Sequence, residues 1–281
     1  MMRILLTLWL LGATSWAANN VTNLSIGTLL SPGALLSQVP SGGGTSPLND
    51  VTNLAGYPML AFYLPSATGY VTNGGVATLV DFGPNAWHMT NAAATSLWPV
   101  HQISIAGINN HDSVLFDGAN DYLNSVIYTN GAKHEIIMVF RYNGVTNASV
   151  RYFYDGRAAL GHKAGQWTAG QLFYGSSSLT ITGELLTNRW IVFDFVMGET
   201  GVGSYGYTNN VSAGGTAIAQ TKTQAGMVLG ADHFISAWTP LDLALMVTYG
   251  STDSSVPLPG TNTTARTAIF NALTNYFNLS P

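Results

Sequence analysis

The sequence predicts an all-β protein, an antiparallel β-sandwich that ends in one amphipathic helix. Three observations predict it. From Tyr57 onward, about a dozen short runs rich in Val, Ile, Tyr and Phe recur between Gly, Asn, Asp and Pro. No helical pattern is interleaved with them, which excludes a parallel α/β sheet. Residues 263–277 then place Ile269, Leu273, Tyr276 and Phe277 at the i, i+4, i+7, i+8 spacing of a single helix face.

Each segment has its own reason. Residues 1–17 read as an export signal. Arg3 supplies the positive start, residues 4–11 the apolar run, and Ser15-Trp16-Ala17 a small-residue cleavage site before Ala18. The run is too short to span a membrane. Residues 18–55 mix Pro32, Pro40 and Pro47 with Gly42-Gly43-Gly44, Ser and Thr, and read as a linker or arm. Val-Thr-Asn recurs at 21–23, 51–53, 71–73 and 145–147, but the irregular spacing indicates biased composition and not a structural repeat.

The sandwich is expected over 56–281. Strands are expected at 59–64, 75–80, 134–142, 151–155, 171–174, 178–182, 189–196, 202–207, 216–219, 227–230 and 241–249. Residues 114–126 read as a central hairpin turned by Asp117-Gly118. The unbroken apolar run at 136–140 predicts burial on both faces of its strand. Tyr152 and Tyr154 are expected to alternate with Phe153. Pro257 and Pro259 precede the C-terminal helix, with Thr261 or Thr263 as its cap.

Composition narrows the partners. Apolar residues make up 47% of the 281, so a sizeable core is available. Charged residues are 8%, and the net charge of −4 contains no run of one sign. That argues against nucleic acid and against an anionic membrane surface. There are no cysteines, which excludes disulfides, thiolate metal sites and a cysteine nucleophile.

Several stretches, taken in order, resemble the laminin-G-like branch of the concanavalin A-like lectin and glucanase jelly rolls. Val114-Leu115-Phe116-Asp117-Gly118-Ala119-Asn120-Asp121-Tyr122-Leu123 is similar to that superfamily's FDG..DY signature. Phe82-Gly83-Pro84-Asn85-Ala86-Trp87-His88 and Gly107-Ile108-Asn109 resemble the loops before it. The strand at 134–140, the pair 226–229 and 241–249, and the terminal helix follow in the same order, so the resemblance covers 56–281. Two departures stand out: the expected late-strand acid is displaced to Asp242, and the expected Gly before it is Ala237. The resemblance implies a jelly roll and ligands held on rim loops, with Ca²⁺ in some relatives.

Candidate chemistry is sparse. Asp117, Asn120 and Asp121 put three oxygen donors on one turn, but Ca²⁺ takes six to eight. A structural turn is therefore the preferred reading over a calcium site, and no cofactor is expected. Gly201-Val202-Gly203-Ser204-Tyr205-Gly206 spells a dinucleotide fingerprint without the helix that must follow, and reads as a Gly-rich hairpin. The six histidines His88, His101, His111, His134, His162 and His233 have no zinc-ligand spacing and are expected at the surface or on hairpins, His111-Asp112 on a rim. Hydrolases of this jelly roll carry Glu-x-Asp-x-Glu or Glu-x-Asp-x-x-Glu, and Glu135, Glu184 and Glu199 have no such partner. No Gly-x-Ser-x-Gly occurs. Trp87, Trp98, Trp167 and Trp238 lie in loop-like sequence, where an indole can stack on a sugar ring while Asn and Gln bond its hydroxyls.

The expectation is a secreted, non-catalytic recognition module that binds a glycan, or an extracellular protein, through those four tryptophans. Two alternatives stand beside it. One is an assembly protein of a cell surface, appendage or virion, self-associating through residues 18–55 by strand addition. The other is a polysaccharide hydrolase using Asp155, Asp194 and Glu184 from different strands.

Overall fold

A computed structural model describes residues 48–65, 75–91, 95–127, 129–130, 133–144, 149–157, 161–167, 170–175, 179–184, 187–199, 203–216, 224–251, 253 and 255–280. The export signal, the arm up to residue 47 and residues 217–219 lie outside the described residues.

The chain opens with a short helix, α1 (Asn49–Thr52), and β1 (Met59–Tyr63), β2 (Thr78–Leu79), β3 (Met89–Thr90) and β4 (Val100–Ile105). Then come β5 (His111–Asp117), β6 (Leu123–Ser125), β7 (Thr129–Asn130), β8 (His134–Tyr142), β9 (Arg151–Gly156) and β10 (Lys163–Gln166). β11 (Gln171–Gly175), β12 (Leu179–Glu184), β13 (Trp190–Glu199), β14 (Gly203–Thr208) and β15 (Val211–Thr216) follow. β16 (Gln224–Ala225), β17 (Met227–Leu229), β18 (Pro240–Gly250) and the helix α2 (Thr263–Phe277) complete the order.

Two eight-stranded antiparallel sheets stack face to face. The first runs β15-β14-β13-β8-β18-β5-β4, with β1 also on β18. The second runs β12-β11-β10-β9-β17-β6-β3-β2. Between them lies one apolar core, which includes Phe116, Met138, Phe140, Phe153, Tyr154, Phe193, Phe195 and Leu229. A second apolar cluster covers the outer face of the first sheet. There Ile137, Val139, Val192, Val196, Leu245 and Val247 meet Ile269, Leu273 and Phe277 of α2. The run at 136–140 is therefore buried on both faces, as its unbroken apolarity predicts. Leu48 and Val51, in the stretch that composition assigns to the arm, are fully buried in this second cluster.

Several expectations are corrected. Residues 114–126 do not form a hairpin: β5 pairs with β4 and β18 in the first sheet, and β6 with β17 and β3 in the second. The turn at Gly118 is an arch between sheets, because Phe116 and Leu123 both enter the interior core from opposite sides. Tyr152 and Tyr154 do not share a face. A bulge opposite Ala164 and Gly165 sends both Phe153 and Tyr154 inward and leaves Tyr152 outside. The cap of α2 is Asn262, whose Oδ1 accepts the amides of Thr264 and Ala265 at 3.0 and 3.1 Å. His134 and His162 are fully buried, with their Nδ1 atoms 3.3 Å apart.

Candidate functional site

The first sheet's outer face is covered by helix, whereas among the described residues no helix packs on the outer face of the second. Register decides what it presents. Asp155 pairs with Val228, Tyr152 with Gly165, and Gly165 with Phe173, while their neighbours Tyr154, Ala164, Leu172, Tyr174 and Leu229 point into the core. Phe173 is nonetheless fully buried, because other aromatics cover it. Tyr152 stands edge-on to it at 5.4 Å between centroids, and Trp167 at 5.8 Å. Both covering rings are half-buried. Lys163 Nζ lies 5.8 Å from the centre of the Tyr152 ring. Only glycine fits beneath this group at 165: a Cβ there would fall 1.9 Å from the carbonyl oxygen of Arg151.

Beside the aromatics lies a pair of polar groups. Asp155, 1% exposed, accepts from His233 twice at Oδ2, from the backbone amide at 3.1 Å and at the ring Nδ1 at 2.8 Å. Burial pushes the Asp155 carboxyl up, and the His233 bonds and Lys163 oppose that shift. Burial likewise raises the Tyr152 hydroxyl, reinforced by Asp155 and Asp232.

His233 belongs to the loop at 231–238, between β17 and β18. Asp232 folds this loop by accepting the amides of Ser236 and Ala237 at 2.6 and 3.1 Å and the Ser236 hydroxyl. The loop is sewn to β9: Arg151 Nη1 donates to the Trp238 carbonyl, and Thr239 Oγ1 to that of Tyr152. At its tip Ile235 sits at φ +56°, a left-handed conformation that costs a β-branched residue energy. Next to it the Phe234 ring lies tilted against His233, 3.9 Å between centroids, and is 74% exposed. The loop thus combines a strained backbone position with a large apolar ring exposed to water.

The four tryptophans divide. Trp167 covers Phe173 on this face, and the Trp238 backbone carbonyl accepts from Arg151 at the same end of β9. Trp87 packs on the interior core, with its amide on Asp81 and its carbonyl held by Tyr63. Trp98 lies against Gly75 and donates its indole N–H to Asn91. Asp117 Oδ1 accepts the amides of Ala119 and Asn120, and Asp121 Oδ2 that of Asp117, so both carboxylates serve the arch. The hydrolase trio is not assembled. Asp155 faces out from the second sheet, while Asp194 lies on the far side of the molecule under α2. Glu184 ends β12, and its side chain is outside the described residues. Sequence reasoning missed His233, Asp232, Phe234, Tyr152 and Lys163. The readable signal was Phe234 itself, an aromatic inside a polar loop.

Comparison with solved structures finds the same fold elsewhere. The chain is similar to a Trypanosoma rangeli sialidase in complex with sialic acid, at TM-score 0.52 and 11% identity, over 91% of this chain and 39% of that one. It is also similar to a GH54 α-L-arabinofuranosidase mutant soaked with 4-nitrophenyl α-L-arabinofuranoside, at TM-score 0.51 and 9% identity, over 72% and 51%. The chain thus spans about half or less of the length of these proteins. At such identities the likeness is one of fold. It corrects the expectation of a chain that is not an enzyme: this fold occurs within glycosidases, so a missing Glu-x-Asp-x-Glu run does not exclude catalysis. No protein-family model matches the sequence, and no curated protein matches it. No helix among the described residues is long and apolar enough to cross a membrane.

Proposed function

We propose that the outer face of the second sheet and the 231–238 loop form a carbohydrate site on an exported protein of the laminin-G-like kind. One observation carries it: half-buried aromatics over Phe173 stand beside a buried Asp155–His233 pair, under a strained loop that exposes Phe234. A sugar ring offers C–H faces to aromatic rings and hydroxyls to polar groups, and on this face the Tyr152 and Trp167 rings and the Lys163 ammonium lie in front of the buried Asp155–His233 pair. The fold's occurrence in a sialidase bound to sialic acid and in an arabinofuranosidase supports the choice of ligand class.

A second reading, turnover of the bound glycan, is favoured by Asp155. A carboxyl raised by burial and hydrogen-bonded to an imidazole is suited to moving a proton. A glycan array read for binding, with hydrolysis of the bound glycans followed in parallel, tests both. Wild type is expected to bind a defined glycan set and Tyr152→Ala to lose it. If product forms, Asp155→Asn is expected to abolish it. Equal binding by wild type and Tyr152→Ala would remove this face from the account.

A further inference from the structure

The outer face of the first sheet carries a different device. Glu135 on β8 and Asp194 on β13 are diagonal across the strand pair, 0% and 4% exposed, and their carboxyls meet beneath Gly260 at the approach to α2. The amide of Gly260 donates to Glu135 Oε2 at 2.8 Å. A Cβ placed on Gly260 would lie 2.9 Å from Asp194 Oδ2 and 3.3 Å from the Glu135 carboxyl carbon, so the turn entering α2 is wedged against both acids. Asp194 also lines a cavity with Tyr207, Asn210, Arg266, Ile269 and Phe270, and its two oxygens meet no N–H donor among the described residues.

We propose that the Glu135–Asp194 pair is a proton-held latch for the C-terminal helix, closed in acid and loosened towards neutral pH. Two carboxylates this close and out of water cannot both ionise cheaply. The charged group facing them from α2 is Arg266, which bonds Asn210 Oδ1 and the Gly260 carbonyl and lies over the Tyr207 ring at 4.0 Å. β14 contributes Tyr207, and β18 contributes Tyr249, whose hydroxyl is held by the Val51 carbonyl of α1. Both phenols are pushed up by burial and by the two acids, so neither supplies charge. With its protons held the buried pair carries no charge; ionising Asp194 puts a carboxylate out of water under the helix, eased only in part by Arg266 and by the proton Glu135 keeps.

Burial raises Asp194 from 3.8 to about 7, with Arg266 and a hydrogen bond from Glu135 opposing. When the helix lifts, water reaches the pair and the acid returns to its ordinary range. Closing therefore takes up a proton between about pH 4 and 7, and the opening constant rises up to about tenfold per unit across that window before levelling.

Native-state hydrogen exchange of α2 amides, corrected for intrinsic rates and taken from pH 4 to 8, tests this on the full chain. Wild-type α2 is expected to open more readily by up to about tenfold per unit up to pH 7, while the amides of β8 keep a flatter profile. Asp194→Asn keeps a donor to Glu135 and is expected to flatten the α2 profile, as is Glu135→Gln. A flat wild-type profile overturns the latch without reference to either variant. An unchanged slope in a folded Asp194→Asn protein overturns it as well.

Discussion

Gly118 stands at φ +76°, and a Cβ there would lie 2.6 Å from Pro240 Cδ and 2.8 Å from its nitrogen. Gly118→Val is therefore expected to destabilise the protein by about 1–3 kcal/mol or more, since left-handed strain and a clash with a ring add. Urea unfolding measures it. The neighbouring acids bond backbone amides across the same arch, and burial lifts Asp121 to about 6. With one oxygen of each acid held by backbone amides, neither Ca²⁺ nor EDTA is expected to move the wild-type melting temperature. A shift of several degrees that is lost in Asp121→Ala would instead make the turn a cation site. At this scale the sequence is legible where local chemistry decides. Asp117-Gly118 announces a turn from its own preferences. Whether that turn joins neighbouring strands or crosses between sheets depends on pairing with β18, which begins at Pro240 and lies more than a hundred residues away. Asp155 and His233 meet for the same kind of long-range reason, across 78 positions, and no spacing rule connects them.

At the scale of elements, amphipathic spacing placed α2 correctly, and unbroken apolarity marked β8 as buried on both faces. Besides the two-residue strands β3, β7 and β16, the strands that pattern did not reveal are β4, β10 and β15. Val-His-Gln-Ile-Ser-Ile and Val-Ser-Ala-Gly-Gly-Thr sit at opposite edges of the first sheet, where no further strand of the sheet pairs with them and side-chain pattern is weakly constrained. Lys-Ala-Gly-Gln is too short and too rich in small residues to read as a strand alone. The cap of α2 was expected at threonine and is Asn262, one position from each candidate. Asn262→Ala is expected to cost about 0.5–2 kcal/mol of stability, because two amides lose their acceptor. Thr261→Ala is expected to cost less, since its hydroxyl reaches only the Leu258 carbonyl. Paired thermal melts of the two variants decide which residue is the cap.

At the scale of the whole molecule, the two outer faces have separate fates. Helices α1 and α2 bury one under a second apolar cluster. The other keeps Tyr152, Trp167 and the 231–238 loop at the surface, with Phe234 projecting furthest. Phe234 packs on His233 alone among the ring contacts of the described residues, so removing it leaves the core intact. The most direct measurement titrates the strongest-binding glycan from the array against wild type, Phe234→Ala and Val211→Ala. Val211 is 69% exposed on β15, at an edge of the other sheet, and serves as the matched surface control. A carbohydrate site on the second sheet requires Phe234→Ala to weaken binding by about tenfold, the equivalent of about 1.4 kcal/mol, with its melting temperature and the control's affinity unchanged. Wild-type affinity in a folded Phe234→Ala protein would contradict it.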